Sequence, residues 1–237
     1  MGMRRFVFAL LVTLLVIAAG CESPDANVET EKTLTVNDIT VHYSGDISLS
    51  QANSVLNFVR DNFQITGETD VYLSKSGDSY TVGVTTPYGS GSEVDEKTAF
   101  YVRIMASKMS QEVFNGEKVF LKLLSPDENE VFSAESKYTY IESNGITVWY
   151  VGVGKDDAQK VLDYAVSFAG NGPWDIFIDG SNPYTISAMS SFESRDEIGD
   201  AEGAYRKMAS DLSEKLGGKV VLRVLNPSGE EIARFTS

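Results

Sequence analysis

Apolar residues alternating with polar ones mark strands, and apolar residues three and four apart mark helices. Ile39, Val41 and Tyr43 alternate with Thr40 and His42, which predicts a strand with one face turned inward. A helix follows. Ser48 and Gln51 form a capping-box pair, and Ala52, Val55, Leu56, Val59 and Phe63 make one apolar stripe. Val71 to Leu73 and Tyr80 to Val84 read as two strands joined by the turn-forming Ser76-Gly77-Asp78-Ser79. A second helix is expected to start at Ser92, with Asp95 at its third position, burying Val102, Met105, Met109 and Val113. Val119 to Leu124 and Val131 to Phe132 then form a hairpin across Pro126-Asp127-Glu128-Asn129.

The same pattern comes round again. Ile39-Thr40-Val41-His42-Tyr43 returns as Ile146-Thr147-Val148-Trp149-Tyr150, and Asp70-Val71-Tyr72-Leu73 as Asp175-Ile176-Phe177-Ile178. Tyr80-Thr81-Val82 matches Tyr184-Thr185-Ile186, Arg103 matches Arg206, and Lys118 to Pro126 is echoed by Lys219 to Pro227. The spacing between matches shrinks from 107 to 101 along the chain, as small losses at successive loops would produce. The second copy's later helix is expected from Ser194, with Glu197 at its third position, to Leu216, where Gly217-Gly218 stops it. The reading is an α+β protein with a first repeat over 33–136 and a second over 137–237. Each repeat runs strand, helix, strand, strand, helix, strand and adds a hairpin strand. That order predicts a split βαβ, ferredoxin-like (βαββαβ) module, with both helices on one face of its sheet.

If Ile39, Val41 and Tyr43 meet the helices, the opposite face carries His42, Tyr72, Phe120 and Lys122 in the first repeat. Its counterparts in the second are Trp149, Phe177 and Arg223. An aromatic face with a cation beside it marks a contact surface. The bland expectation is that the two faces cover each other, or lie under the added hairpins. The functional alternative is that they line a groove for a ligand or protein partner.

The N-terminus follows another pattern. Arg4 and Arg5 precede an apolar run from Phe6 to Ala19, 14 residues long, which is short for a membrane-spanning helix of roughly 20 residues. Residues 1–20 therefore read as an export signal. Ala18-Ala19-Gly20-Cys21 resembles the bacterial lipobox, with Ala18 standing where Leu is usual. The resemblance implies that Cys21 is diacylated and becomes the mature N-terminus. Cys21 is also the chain's one cysteine, so lipidation would account for a residue with no disulfide partner. Residues 21–32 are then the lipidated Cys and a flexible tether, rich in Glu, Asp, Ser and Pro. Several acyl chains would hold the protein at a membrane, facing outside the cytoplasm, where one binds marginally.

Charge and composition narrow the chemistry further. Removing residues 1–20 takes away two arginines and moves the net charge from −14 to −16, which disfavours nucleic acid as a partner. His42 is the single histidine, and its counterpart is Trp149. No Ser–His–acid or Cys–His set and no nucleophile-elbow pattern surrounds it. Zinc ligation needs several His or Cys, so no metal and no cofactor is expected. Gly152-Val153-Gly154-Lys155 lacks P-loop spacing and reads as a turn. The acids around Glu193, Asp196, Glu197 and Asp200 cap a helix. The expected function is a lipid-anchored, non-enzymatic binding module for an envelope protein or glycan. Two alternatives stand beside it: a carboxylate-dependent hydrolase or glycan-processing enzyme, and a structural component of an envelope assembly.

Overall fold

The computed structural model describes residues 31–63, 65 and 67–237. The export signal over 1–20, Cys21 and most of the 21–32 tether lie outside the described residues. The tether's last residue, Lys32, is already in a strand. Strand β1 (Lys32–Val36) pairs antiparallel with β2 (Ile39–Tyr43), because a tight turn at Asn37 lets the chain fold straight back.

Helix α1 (Leu49–Asn62) starts where the sequence places it. Ser48 Oγ accepts from the Gln51 backbone N–H at 3.2 Å, and the Ser48 N–H donates to Gln51 Oε1 at 2.9 Å. Its stripe of Ala52, Val55, Leu56 and Val59 is buried. Strands β3 (Thr69–Ser76) and β4 (Ser79–Thr85) form a hairpin, followed by α2 (Glu96–Val113), β5 (Lys118–Leu124) and β6 (Glu130–Glu135). Helix α2 is capped by Asp95, not Ser92: its carboxylate accepts from the Thr98 N–H at 2.9 Å and the Thr98 hydroxyl at 2.8 Å.

The second half repeats the plan with β7 (Thr139–Ser143), β8 (Ile146–Val151), α3 (Lys155–Ala169), β9 (Trp174–Asp179) and β10 (Tyr184–Met189). The later helix is broken here. A single turn, α4 (Arg195–Ile198), and a 3-10 turn (Gly199–Ala201) precede α5 (Glu202–Leu216), because Gly199 adopts a φ of 40°. Helix α5 ends in left-handed Gly217, followed by β11 (Val220–Leu225) and β12 (Glu231–Thr236).

The protein is α+β, with two tandem similar halves, each holding one six-stranded mixed sheet. The ferredoxin-like strand order is corrected. Strands lie in chain order, β1 to β6 in one sheet and β7 to β12 in the other. A split βαβ sets a third strand between its parallel pair. Here β2 and β3 are direct parallel neighbours, as are β4 and β5, β8 and β9, and β10 and β11. Periodicity dictates which segments are strands, but neighbour choice depends on contacts between distant segments, which no local pattern encodes. Edge strands β1 and β7 bring each sheet to six strands, one more than the added hairpin accounts for.

The helices of each half do share one face. Val41, Val71, Val82 and Leu121 pack with α1 and α2, and Val148, Ile178, Ile186 and Leu222 pack with α3 and α5. Helix α2 has a second apolar side. Ile104, with Phe100 and Met105, packs on Trp149 and Phe177 of the second sheet. The first half's helix thus lies between the two sheets.

Candidate functional site

The faces turned away from each half's own helices are built on one register. Across the first sheet, Thr33, His42, Tyr72, Gly83, Lys122 and Ser133 stand side by side on β1 to β6. Across the second, the same row reads Tyr140, Trp149, Phe177, Ser187, Arg223 and Arg234. Two polar contacts recur in both. His42 Nε2 lies 2.8 Å from Asp70 Oδ1, and Trp149 Nε1 donates to Asp175 Oδ1 at 2.7 Å. Lys122 pairs with Glu130 at 2.7 Å, and Arg223 with Glu231 at 2.6 Å.

The environments of the rows differ. Trp149 and Phe177 are 4% and 3% exposed, buried beneath α2. The phenol of Tyr140 beside them donates to Glu112 of α2 at 2.7 Å; burial, and then that carboxylate, raise its pKa to about 12. The connection between the halves is docked on α2 as well. Ser107 Oγ, fully buried, accepts from the N–H groups of Lys137 and Tyr138 at 3.0 and 3.2 Å. The expectation that the two aromatic faces cover each other is therefore corrected. A helix, not a sheet, covers the second face, because α2 presents Phe100 and Ile104 on the side opposite its own sheet.

On the first sheet, His42, Tyr72, Phe120 and Lys122 come together on a face that remains half-exposed. The His42 and Tyr72 rings stack at 4.8 Å with planes 13° apart. His42 Nδ1 faces Glu31 at 3.2 Å, so both ring nitrogens meet carboxylates. Tyr72 donates its hydroxyl to Glu128 at 2.7 Å; partial burial, and then Glu128, push its pKa well above the ordinary phenol range. Lys118 sits 5.6 Å from the Phe120 ring centre and pairs with Glu135. Leu124 closes over the centre of the row, where a Cβ on Gly83 would meet its Cδ1 at 2.8 Å.

Glu128 is a further asymmetry. It holds a φ of 62°, unusual for a residue with a side chain. Its counterpart is Gly229, where a Cβ would strike the Phe100 ring at 2.8 Å. The uncovered half thus keeps a strained acid that the covered half has no room for.

Of the seven residues expected on a contact face, four form one accessible surface. Trp149 and Phe177 are interior, and Arg223 lies two strands along from Phe177 in its row, held by Glu231. Sequence reasoning missed Asp70, Glu128 and Glu130, which orient that surface. The Asp70/Asp175 match was visible, but parity alone does not tell that this carboxylate meets the next strand's ring.

Residues 33–136 match the model of AF_1994_N, a family N-terminal domain. An uncharacterized protein of Archaeoglobus fulgidus is 31% identical over 236 residues, covering 98% of this chain and 97% of the relative. A crystal structure of a protein assigned to phenazine biosynthesis (PhzC/PhzF) from Clostridium difficile is 14% identical. It covers 81% of this chain and 82% of its own, with a TM-score of 0.18, and carries no argument.

Proposed function

The chain belongs to the family of that Archaeoglobus fulgidus protein, and we propose that it is a lipid-anchored, non-enzymatic binding module that works outside the cytoplasm. Its contact surface is the open face of the first sheet, around His42, Tyr72, Phe120 and Lys122. The observation that carries this reading is the unequal fate of two faces built on one register: an internal helix covers one, and the other stays accessible. The ligand is an envelope protein or glycan. Stacked rings offer a flat apolar platform, and Asp70, Glu128 and Glu130 offer acceptors around it. The anchor rests on the Arg4-Arg5 start, the apolar run and the lipobox-like Ala18-Ala19-Gly20-Cys21. Among the described residues no helix is long and apolar enough to cross a membrane.

Two measurements test the proposal. Cys21→Ala should abolish lipid labelling and release the protein from membranes; labelling that persists would refute the anchor. The released protein should still adhere to isolated cell envelopes through the open face. The triple change of His42, Tyr72 and Phe120 to Ser should remove that adherence, and undiminished adherence would refute the contact surface.

A further inference from the structure

Each half has a recess at the same place, where its third strand begins and its fourth ends, beside the C-terminal end of its first helix. The first, about 380 Å³, is bordered by Glu68, Thr69, Asp70, Thr85 and Thr86. The second, about 580 Å³, has Pro173, Trp174, Asp175, Met189 and Ser190 at the equivalent positions. The first recess is mixed, with Phe63, Ile65, Val84 and two prolines beside those polar groups, and the second has become larger and more aromatic. The carboxylate at Asp70/Asp175 is common to both.

We propose that the second recess binds a small molecule with an aromatic or aliphatic body and a neutral or positively charged polar end. Its volume falls within the several-hundred-Å³ range of small-molecule sites. Phe168, Phe192, Tyr205 and Met208 join Trp174 in its walls, and among the described residues Asp175 is the one charged residue at its border. Phe168 stands 47% exposed at the rim, stacked on Tyr164 at 6.1 Å and 6.5 Å from Trp174. The inward stripe of α3 does not need that ring, whereas a ligand body would bury it. Asp175 Oδ1 is fixed by the Trp149 indole, and among the described residues no side chain engages Oδ2. A fixed carboxylate beside aromatic faces favours an ammonium or hydroxyl group. An anion entering would lose its hydration with no cation to replace it.

The test compares benzyltrimethylammonium, benzyl alcohol and benzenesulfonate on the full chain, read by tryptophan emission. Wild type should respond saturably to the first two, with the sulfonate at least about tenfold weaker. Trp174→Phe should remove the response. Ala204→Phe fills the recess from an exposed helical position and should weaken binding at least about tenfold. Asp175→Asn keeps an acceptor for the Trp149 indole and should lower the cation's affinity about fivefold while sparing the alcohol. The proposal is overturned by an absent saturable response, by one that survives Ala204→Phe, or by sulfonate binding as well as the cation. Equal loss of both ligands in Asp175→Asn would overturn its charge preference.

Discussion

His42 and Tyr72 stand in partial contact with water, while Trp149 and Phe177, in the same register, lie under α2; Lys122 and Arg223, further along the two rows, are alike half-exposed. The difference lies in what each neighbouring helix presents. Helix α2 offers Phe100 and Ile104 to the second sheet; aligned through Arg103/Arg206, α5 has Gly203 and Lys207 there, both exposed. A repeat that could stack indefinitely is ended at α5 by a polar outer surface, as a terminal repeat requires. The first sheet has His for Trp and Tyr for Phe, and the last helix has Gly for Phe and Lys for Ile. The interface forms once and then stops.

The comparison can be broken most forcefully at its centre. Trp149→Ala should cost about 3–5 kcal/mol in denaturant unfolding, against about 1 kcal/mol or less for His42→Ala. Equal costs would mean that α2 does not seal the second face. Ile104→Lys installs the α5 residue beneath Trp149 and should cost about 2–4 kcal/mol, since a charge enters an apolar contact. The converse, Lys207→Ile, should leave stability within about 0.5 kcal/mol, and sedimentation should report increased self-association.

At the turn, Gly229→Ala combines a φ of 83° with a contact on Phe100 and should cost about 1–3 kcal/mol. Glu128→Gly should stay within about 1 kcal/mol of wild type, since relief of its φ offsets the lost Tyr72 bond. The smallest effect belongs to the cation–carboxylate pairs that both faces retain. Arg234, and then Arg223, hold the Glu231 carboxyl below its ordinary range. That stabilisation is full above the ordinary Glu pKa of about 4.5 and is lost as pH falls through the lower folded value. Glu231→Gln should therefore flatten the acid limb of stability against pH by less than about 1 kcal/mol, the scale of a partly exposed pair.

Much of this was legible in the chain. The Ser48–Gln51 box, the stripe of α1 and the Gly217 stop are local, so spacing alone reveals them. Local spacing misled at Ser92, where Asp95 takes the cap because Thr98 supplies two donors to it. It misled again at Gly199, which breaks a helix that a continuous stripe predicted.

Duplication, α+β class, every strand except edge strands β1 and β7, and the parity of His42 and Trp149 were determined by the sequence, because backbone periodicity sets which residues share a face. The tertiary structure decided that strands lie in chain order and that α2 covers one face and leaves the other open. The parallel pairings that set strand order join residues 28 to 39 apart, and the α2 cover joins Ile104 to Trp149, 45 apart, so both depend on shape and apolar area meeting beyond the reach of a local pattern. A helix with two apolar sides reads locally like one with a broad stripe until its second partner is in place.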